Sequence, residues 1–190
     1  MACTSRASLA RPDANDRECG RPPGFTLKAV AQFARLPVGI RRLLYRVAYA
    51  LLCVYWFIRR PDAHGVKCVL TDGDLVLLVR HTYGPSDWEI PGGAIKSGEP
   101  PVQAARRETQ EELGVTIRDW TALEQVTGRL LGRRDTLHCF HAEVRDPTLT
   151  LDLGELSCAR WFARDKLPSD IGYYTGHILA QLPVRGRSAP

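Results

Sequence analysis

Three glutamates, Glu108, Glu111 and Glu112, stand at the spacing i, i+3 and i+4 in a segment predicted to be helical. At this spacing the carboxylates share one face of a helix and repel one another. A sequence tolerates this repulsion where cations lie nearby, as Arg106 and Arg107 do, or where a divalent metal binds. Carboxylates without cysteine or histidine suit Mg²⁺ or Mn²⁺ better than Zn²⁺. The alternative is a solvated acidic surface.

A tight turn precedes the acidic helix. Pro91-Gly92-Gly93 allows a sharp change of backbone direction, so the Gly92 carbonyl could complete a metal site. The helix is predicted over about residues 100–113 and is closed by Gly114. Its first N–H groups favour an anion such as a phosphate. The turn and the helix together are therefore candidates for a metal and phosphate site.

The spacing over residues 93–115 resembles the Nudix box, G-x5-E-x7-R-E-U-x-E-E-x-G-U, in which U is a bulky aliphatic residue. Thr109 stands at the first U position and is the single departure; it is expected to face the core. The resemblance covers about residues 64–182 and includes Trp161-Phe162 downstream. The box positions that match are Gly93, Glu99, Arg107, Glu108, Glu111, Glu112, Gly114 and Val115.

This resemblance implies an α/β fold, a Nudix-type α/β/α sandwich with a mixed sheet, preceded here by an N-terminal helical extension. It also implies a metal-dependent hydrolase that cleaves the pyrophosphate bond of a nucleoside diphosphate linked to another moiety X, with Mg²⁺ or Mn²⁺ as cofactor. Two alternatives remain open: a membrane-associated enzyme acting on a lipid-linked diphosphate, and a nucleotide-binding regulator without catalysis. The proline that marks ADP-ribose hydrolases is absent from residues 127–131.

The resemblance assigns metal-binding roles to individual residues. The metal ligands would be Glu108, Glu111 and Glu112, with the Gly92 carbonyl as a further ligand and Glu99 as an outer one.

Catalytic and phosphate-binding roles are carried over in the same way. Arg107 would orient Glu108 through a salt bridge. Either Glu111 or Glu155 would be the catalytic base. Arg80 and Lys96 would bind substrate phosphate, and the simpler alternative for Arg80 is a surface charge at a strand end.

Around the box, short apolar runs predict the strands of the sheet. A hairpin turns at Asp72-Gly73 between residues 66–70 and 75–79. Further strands are predicted over residues 115–117, 123–130, 136–144 and 159–162, with Arg133-Arg134 in a loop and a last helix over residues 171–182. Strands on both sides of one helix favour a layered α/β sandwich.

The first 60 residues differ in charge from the rest. They hold eleven Lys/Arg and three Asp/Glu, whereas residues 61–190 hold fifteen and eighteen. We predict a disordered tail over residues 1–24, a basic and apolar helical extension over 25–60, and the hydrolase domain over 61–185. The extension contains two predicted helices, residues 26–36 and 43–58.

The second of these helices, residues 43–58, would be about 24 Å long, short of a bilayer's core of roughly 30 Å. A membrane surface, a second copy of the chain or the protein's own domain is the expected partner of its apolar surface.

Two further classes of protein are disfavoured: those that bind a nucleic acid polymer and secreted proteins held together by disulfides. The basic charge is confined to the N-terminal third, so a nucleic acid polymer is not expected as a partner. The six cysteines are scattered and the first residues lack the apolar stretch of a secretory signal. We therefore expect a cytoplasmic protein, with membrane association as the alternative location.

Overall fold

A computed structural model of the chain describes residues 36–130, 133–145 and 147–183. Its helices and strands follow in the order α1 (Val38–Arg59), β1 (Asp62–Asp72), β2 (Leu75–His81), α2 (Pro101–Leu113), β3 (Thr121–Ala122), β4 (Val126–Leu130), β5 (Arg133–Glu143), β6 (Leu156–Ala163) and α3 (Thr175–Leu179). The predicted residues 1–24 tail and, apart from Leu36, the predicted residues 26–36 helix lie outside the described residues.

The six strands form one mixed sheet in the order β3-β5-β1-β2-β6, and β4 also pairs with β5. Strands β1 and β5 are parallel over ten residue pairs, from Asp62↔Arg134 to Thr71↔Glu143. The other pairings are antiparallel. The predicted mixed sheet is confirmed, and so is the hairpin at Asp72-Gly73.

The core lies on both faces of this sheet. Successive residues of a strand point to opposite faces, and Val69 and Leu70 of β1 accordingly enter different core clusters. Helix α2 covers one face with Ala104 and Ala105, both fully buried, while Ile178 of α3 packs on the other. Helices on both sides of one sheet make the α/β/α sandwich that the sequence predicted.

The segment between residues 89 and 95 lies between β1 and β2. These two strands pair only next to their turn, at Thr71↔Val76 and Asp72↔Leu75, and farther along they are separated. The segment fills the space between them, because its Gly93 carbonyl accepts the Val66 N–H at 2.9 Å while Glu89 pairs with β2. The glycines ahead of α2 are thus held by the sheet itself.

Several predicted elements were wrong in extent. Residues 115–117 are not a strand: Ile117 is apolar because it packs into the core, not because it pairs. Strand β4 begins at Val126 rather than at residue 123, and Arg133-Arg134 belongs to β5, which continues its pairing with β4. The last helix begins only at Thr175, because the preceding residues bond to the backbone of Trp88.

Helix α1 contains the predicted residues 43–58 helix and extends it to Val38. Tyr45 is its buried residue, while many of its apolar side chains are exposed, Phe57 at 72% and Ile58 at 70%. Within the described part of the chain, no helix combines the length and apolar content needed to cross a bilayer. The other apolar residues exposed on α1 are Val38, Ile40, Leu43, Leu44, Val47, Leu51, Val54 and Tyr55.

Candidate functional site

Helix α2 presents the three glutamates of the sequence motif. Pro101 starts the helix, where a missing N–H is tolerated, and Gly114 closes it in the left-handed conformation at φ 69°. Glu108 and Glu112, one turn apart, are both buried at 1% exposure, whereas the Glu111 side chain is 39% exposed. Thr109 is fully buried, as expected for its position.

Arg107 connects the acidic residues to one another. It donates from Nε and Nη2 to the two oxygens of Glu99, at 2.8 and 2.7 Å. Its Nη1 donates to Glu108 at 2.6 Å and to Glu111 at 3.2 Å, and Nη2 also reaches the Ala94 carbonyl at 3.0 Å. A single planar guanidinium thus holds three carboxylates, as its forked donors allow.

This network changes the pKa values of Glu99 and Arg107. The hydrogen bonds from Arg107 are the main cause that lowers the pKa of Glu99 to about 2. The same bonds, with those to Glu108, raise the pKa of Arg107 above its ordinary value against the opposing effect of burial. Arg107 therefore stays cationic beside carboxylates that would otherwise repel one another.

The two glycines before α2 allow a close approach to the carboxylates. The Gly92 N–H donates to Glu112 Oε2 at 3.0 Å, and the residue has φ 147°. A Cβ at Gly92 would lie 2.1 Å from the Val66 carbonyl oxygen, and one at Gly93 would lie 2.6 Å from the Glu108 carboxylate. No side chain fits at either position without displacing the neighbouring group.

The donor set has the chemistry of a hard divalent cation site. Each candidate ligand is an oxygen, and the Glu108 and Glu112 carboxylates are buried side by side next to the Gly92 backbone. In the described residues no three His, Cys, Asp or Glu side chains form a ready-made ligand cluster, and Arg107 engages Glu108 and Glu111. The residues fit such an ion by the chemistry of their donor atoms, and the individual ligand roles stay predictions.

Glu155 lies in the turn before β6 and is 7% exposed. Its N–H donates to the Asp152 carbonyl at 2.9 Å, and its own carbonyl accepts the Thr82 N–H at 2.9 Å. The Asp152 N–H bonds in turn to the Glu112 carbonyl at 3.0 Å, which fixes this turn against α2. The structure thus brings Glu155 to the same region as the box glutamates, although it lies 40 or more residues away in sequence.

A second ion pair of the site was missed by the sequence reasoning. Lys67 Nζ lies 2.6 Å from Glu89 Oε2 and 3.1 Å from the Ile90 carbonyl. Lys67 lowers the pKa of Glu89 to about 2. Burial disfavours the charged ammonium, but the Glu89 and Glu112 carboxylates outweigh it and raise the pKa of Lys67. A lysine inside the apolar run of β1 was the signal that could have revealed this pair.

The two residues predicted to bind phosphate lie in different surroundings. Arg80 pairs with Asp170, and its guanidinium lies 4.6 Å from the centroid of the Trp88 ring. Lys96 is exposed, and its main-chain N–H donates to Glu99 Oε2 at 2.9 Å. Contact with phosphate therefore requires Arg80 to exchange a partner, while Lys96 projects from the box loop; both roles stay predictions.

Comparison with known proteins matches this part of the chain to one family. A model described as the NUDIX domain matches residues 61–182. Among solved structures, a MutT NUDIX hydrolase from Burkholderia pseudomallei superposes with a TM-score of 0.60 over 64% of this chain and 98% of its own. Its sequence is 24% identical, so this likeness shows the fold alone.

Two curated relatives have different names over short matches. An ADP-ribose pyrophosphatase of Mycobacterium tuberculosis is 44% identical over 50 residues, 26% of this chain and 24% of that protein. An 8-oxo-dGTP diphosphatase of Proteus vulgaris is 42% identical over 53 residues, 28% of this chain and 47% of that protein. The chain therefore matches less than half the length of either relative.

Proposed function

The chain belongs to the NUDIX family, and from this premise we propose that it is a pyrophosphohydrolase acting on a nucleoside diphosphate linked to a further moiety X. The observation that carries the proposal is the placement of the whole acidic motif. Arg107 binds Glu99, Glu108 and Glu111, and Glu112 accepts the Gly92 N–H. The names of the relatives, a pyrophosphatase and a diphosphatase, support the same class of reaction.

Proteins of this family generally use divalent metal ions, and we propose Mg²⁺, with Mn²⁺ as the alternative. Glu108, Glu111 and Glu112 would hold the ion, with the Gly92 carbonyl as a further ligand and Glu99 as an outer one. When bound, the ion supplies Lewis acidity at the diphosphate oxygens. The chain's own contribution is to hold these oxygens in place, which Arg107 and the Gly92 N–H do.

Two carboxylates remain candidates for the base that takes a proton from the attacking water. Glu111 is the more exposed and shares Arg107 with Glu108. Glu155 is held in a fixed turn by main-chain hydrogen bonds. A base on a rigid turn, outside the group of metal ligands, suits proton abstraction, and this favours Glu155. Arg80 and Lys96 are proposed to meet the phosphates of the substrate.

The test is a panel of nucleoside diphosphate derivatives incubated with the full chain and Mg²⁺, with the released nucleotide or phosphate measured. The panel includes ADP-ribose and 8-oxo-dGTP because the two relatives carry these names. We expect turnover of at least one compound and its loss in Glu112→Gln. The matched control is Glu124→Gln, an exposed glutamate outside α2. Binding of a panel compound without release would instead support a nucleotide-binding regulator.

A second proposal concerns the outer face of α1, defined as Leu43, Val47, Leu51, Val54 and Ile58, with exposures of 52–70%. Helix α1 contains no acidic residue, and Arg59 and Arg60 stand at its end. An apolar stripe on a basic helix suits the surface of an anionic membrane. We propose that this face binds such a surface, which would bring the enzyme to lipid-linked diphosphates.

Sedimentation of the full chain with vesicles tests this second proposal. We expect binding to vesicles that contain phosphatidylserine, weaker binding to phosphatidylcholine alone, and loss of binding in Leu51→Glu. The matched control is Thr127→Glu, which adds the same charge to an exposed strand residue. Self-association without vesicles that Leu51→Glu abolishes would overturn the membrane proposal in favour of a second copy of the chain.

A further inference from the structure

The side of α1 opposite its outer face lies against the NUDIX domain. We define this inner face as Arg41, Tyr45, Tyr49 and Trp56, which the 3.6-residue helical period brings to one side. Tyr45 is buried at 6% exposure. The Trp56 ring lies 3.9 Å from the Arg133 guanidinium of β5, a distance typical of a cation–π contact. The inner face is therefore packed along the domain from end to end.

Arg41 contacts the turn that leads into Glu155. Its Nη2 lies 2.5 Å from Asp152 Oδ1, and the same oxygen accepts the Gly154 N–H at 2.8 Å. The Glu155 N–H then donates to the Asp152 carbonyl. Arg41 thus neutralises the carboxylate that organises this turn, and its Nη2 would lie only 2.4 Å from a Cβ at Gly154.

The two tyrosines of the inner face contact Glu155 through a third. The Tyr45 ring is stacked on Tyr83 with centroids 6.1 Å apart and planes at 15°, and the Tyr49 centroid lies 5.7 Å from that of Tyr83. Tyr83 Oη donates to Glu155 Oε1 at 3.4 Å. Aromatic packing from α1 therefore sets the direction of a phenol that contacts this carboxylate.

The surroundings of the Tyr83 phenol raise its pKa. Burial, and after it the carboxylates of Glu155 and Glu112, hold the pKa of Tyr83 well above its usual value. The phenol consequently keeps its proton at neutral pH and acts toward Glu155 as a donor. A donor at this distance orients the carboxylate and can tighten once substrate is bound.

We propose that α1 positions Glu155 for the reaction, by fixing its turn through Arg41 and its carboxylate through Tyr83. This inference rests on the proposed hydrolase function, in which Glu155 is a candidate base. Arg41 and Tyr83 are positioning residues, since they act through Glu155. Residues that precede residue 61, where the match to the family begins, would then complete the active site.

The central experiment measures kcat and KM of the full chain with the best substrate of the panel. Tyr83→Phe keeps the aromatic packing and removes only the phenolic O–H. We expect kcat to fall about tenfold, with KM within about twofold and an unchanged melting temperature. In a Glu155→Gln background the same change should have no further effect, because its target is gone. A wild-type kcat in Tyr83→Phe, or a full additional loss in the double variant, would overturn the inference.

Variants of α1 test the role of the helix. Tyr49→Leu should lower kcat in the same way, whereas Tyr49→Phe should retain it because the ring remains. Phe57→Ala, on α1 but outside both defined faces and 72% exposed, is the matched control and should keep the wild-type kcat. An equal loss in Phe57→Ala would show a general effect of α1 and would contradict the positioning role.

The proposed hydrolase function and the proposed role of α1 can be refuted separately. If the wild type hydrolyses a panel compound and Tyr83→Phe is fully active, the role of α1 is contradicted and the hydrolase function is still supported. If no panel compound is hydrolysed, both proposals are contradicted.

Discussion

Arg107 donates two parallel hydrogen bonds to Glu99, from Nε to Oε1 at 2.8 Å and from Nη2 to Oε2 at 2.7 Å. Both side chains are largely buried, at 16% and 15% exposure. The pair joins the loop before α2 to the middle of that helix, so the loop that carries Gly92 and Gly93 cannot move independently of the acidic face. The spacing of the motif is thereby a geometric requirement and not only a signature.

The forked geometry of Arg107 predicts that lysine cannot replace it. A single ammonium cannot hold Glu99 through two parallel bonds and also serve Glu108. We expect Arg107→Lys to reduce kcat/KM on the order of 100-fold, because the carboxylates are misplaced. It should also lower the unfolding free energy measured in urea, since the buried Glu108 loses part of its partner. Arg106→Lys, whose described side-chain bond goes to the exposed Arg118 carbonyl, should change neither quantity by much.

The close approach at Gly93 predicts a steric effect of one methyl group. In Gly93→Ala the new Cβ would lie 2.6 Å from the Glu108 carboxylate, which must shift away from the site. We expect loss of most hydrolytic activity and about 1–3 kcal/mol of unfolding free energy, as for other overpacked positions. Gly39→Ala is the control, because nothing lies within 4 Å of a Cβ there. Unaltered activity in Gly93→Ala would contradict the position given to Glu108.

The Lys67–Glu89 pair predicts a stability that depends on acid pH. The pKa of Glu89 falls from an ordinary 4.5 to about 2 in the folded protein, chiefly because of Lys67. A lowered native pKa stabilises the fold above pH 4.5, and this contribution disappears as the pH falls toward 2. Glu89→Gln should therefore be less stable than wild type at pH 7, with the difference shrinking between pH 4.5 and 2.

Urea unfolding of both proteins across this range, with Glu124→Gln as the reference for a surface carboxylate, gives the comparison. A difference between wild type and Glu89→Gln that stays constant down to pH 2 would show that Lys67 does not hold this carboxylate ionised.

Metal removal should act on both activity and thermal stability. We expect treatment with EDTA to abolish hydrolysis and addition of Mg²⁺ or Mn²⁺ to restore it. Added Mg²⁺ should also raise the melting temperature, because an ion that binds only the folded state stabilises it. Glu112→Gln should lose most of this shift. A melting temperature that responds to Mg²⁺ equally in both proteins would place the ion elsewhere.

The acidic motif could be recognised and the fold class predicted from the sequence, because both depend on local spacing. Eight box positions in register and the apolar runs led to the mixed sheet and to helix α2. Contacts between distant residues were not predictable in this way. The Lys67–Glu89 pair and the contact of Tyr83 with Glu155 depend on how β1, the β2 end and the turn before β6 meet in space.

The predicted ends of several elements were wrong for a related reason. Ile117 is apolar in a pattern that fits a strand, yet it has core neighbours and no strand partner. Arg133 and Arg134 are polar in a pattern that fits a loop, yet they continue the pairing of β5 with β4. Apolar and polar patterns report burial, and burial does not by itself distinguish pairing from packing.

The segment between residues 89 and 95, which lies between β1 and β2, affects how the site unfolds. Its backbone bonds to Val66, Cys68 and Val79, residues at the centre of the fold. Such amides open to solvent only when the sheet itself opens, so the Gly92-Gly93 turn belongs to the same cooperative unit as the core. Exchange of the Val66 and Cys68 amides, which donate to the carbonyls of Gly93 and Pro91, should then be as slow as in the rest of β1, and the site should be lost in a single step with the fold.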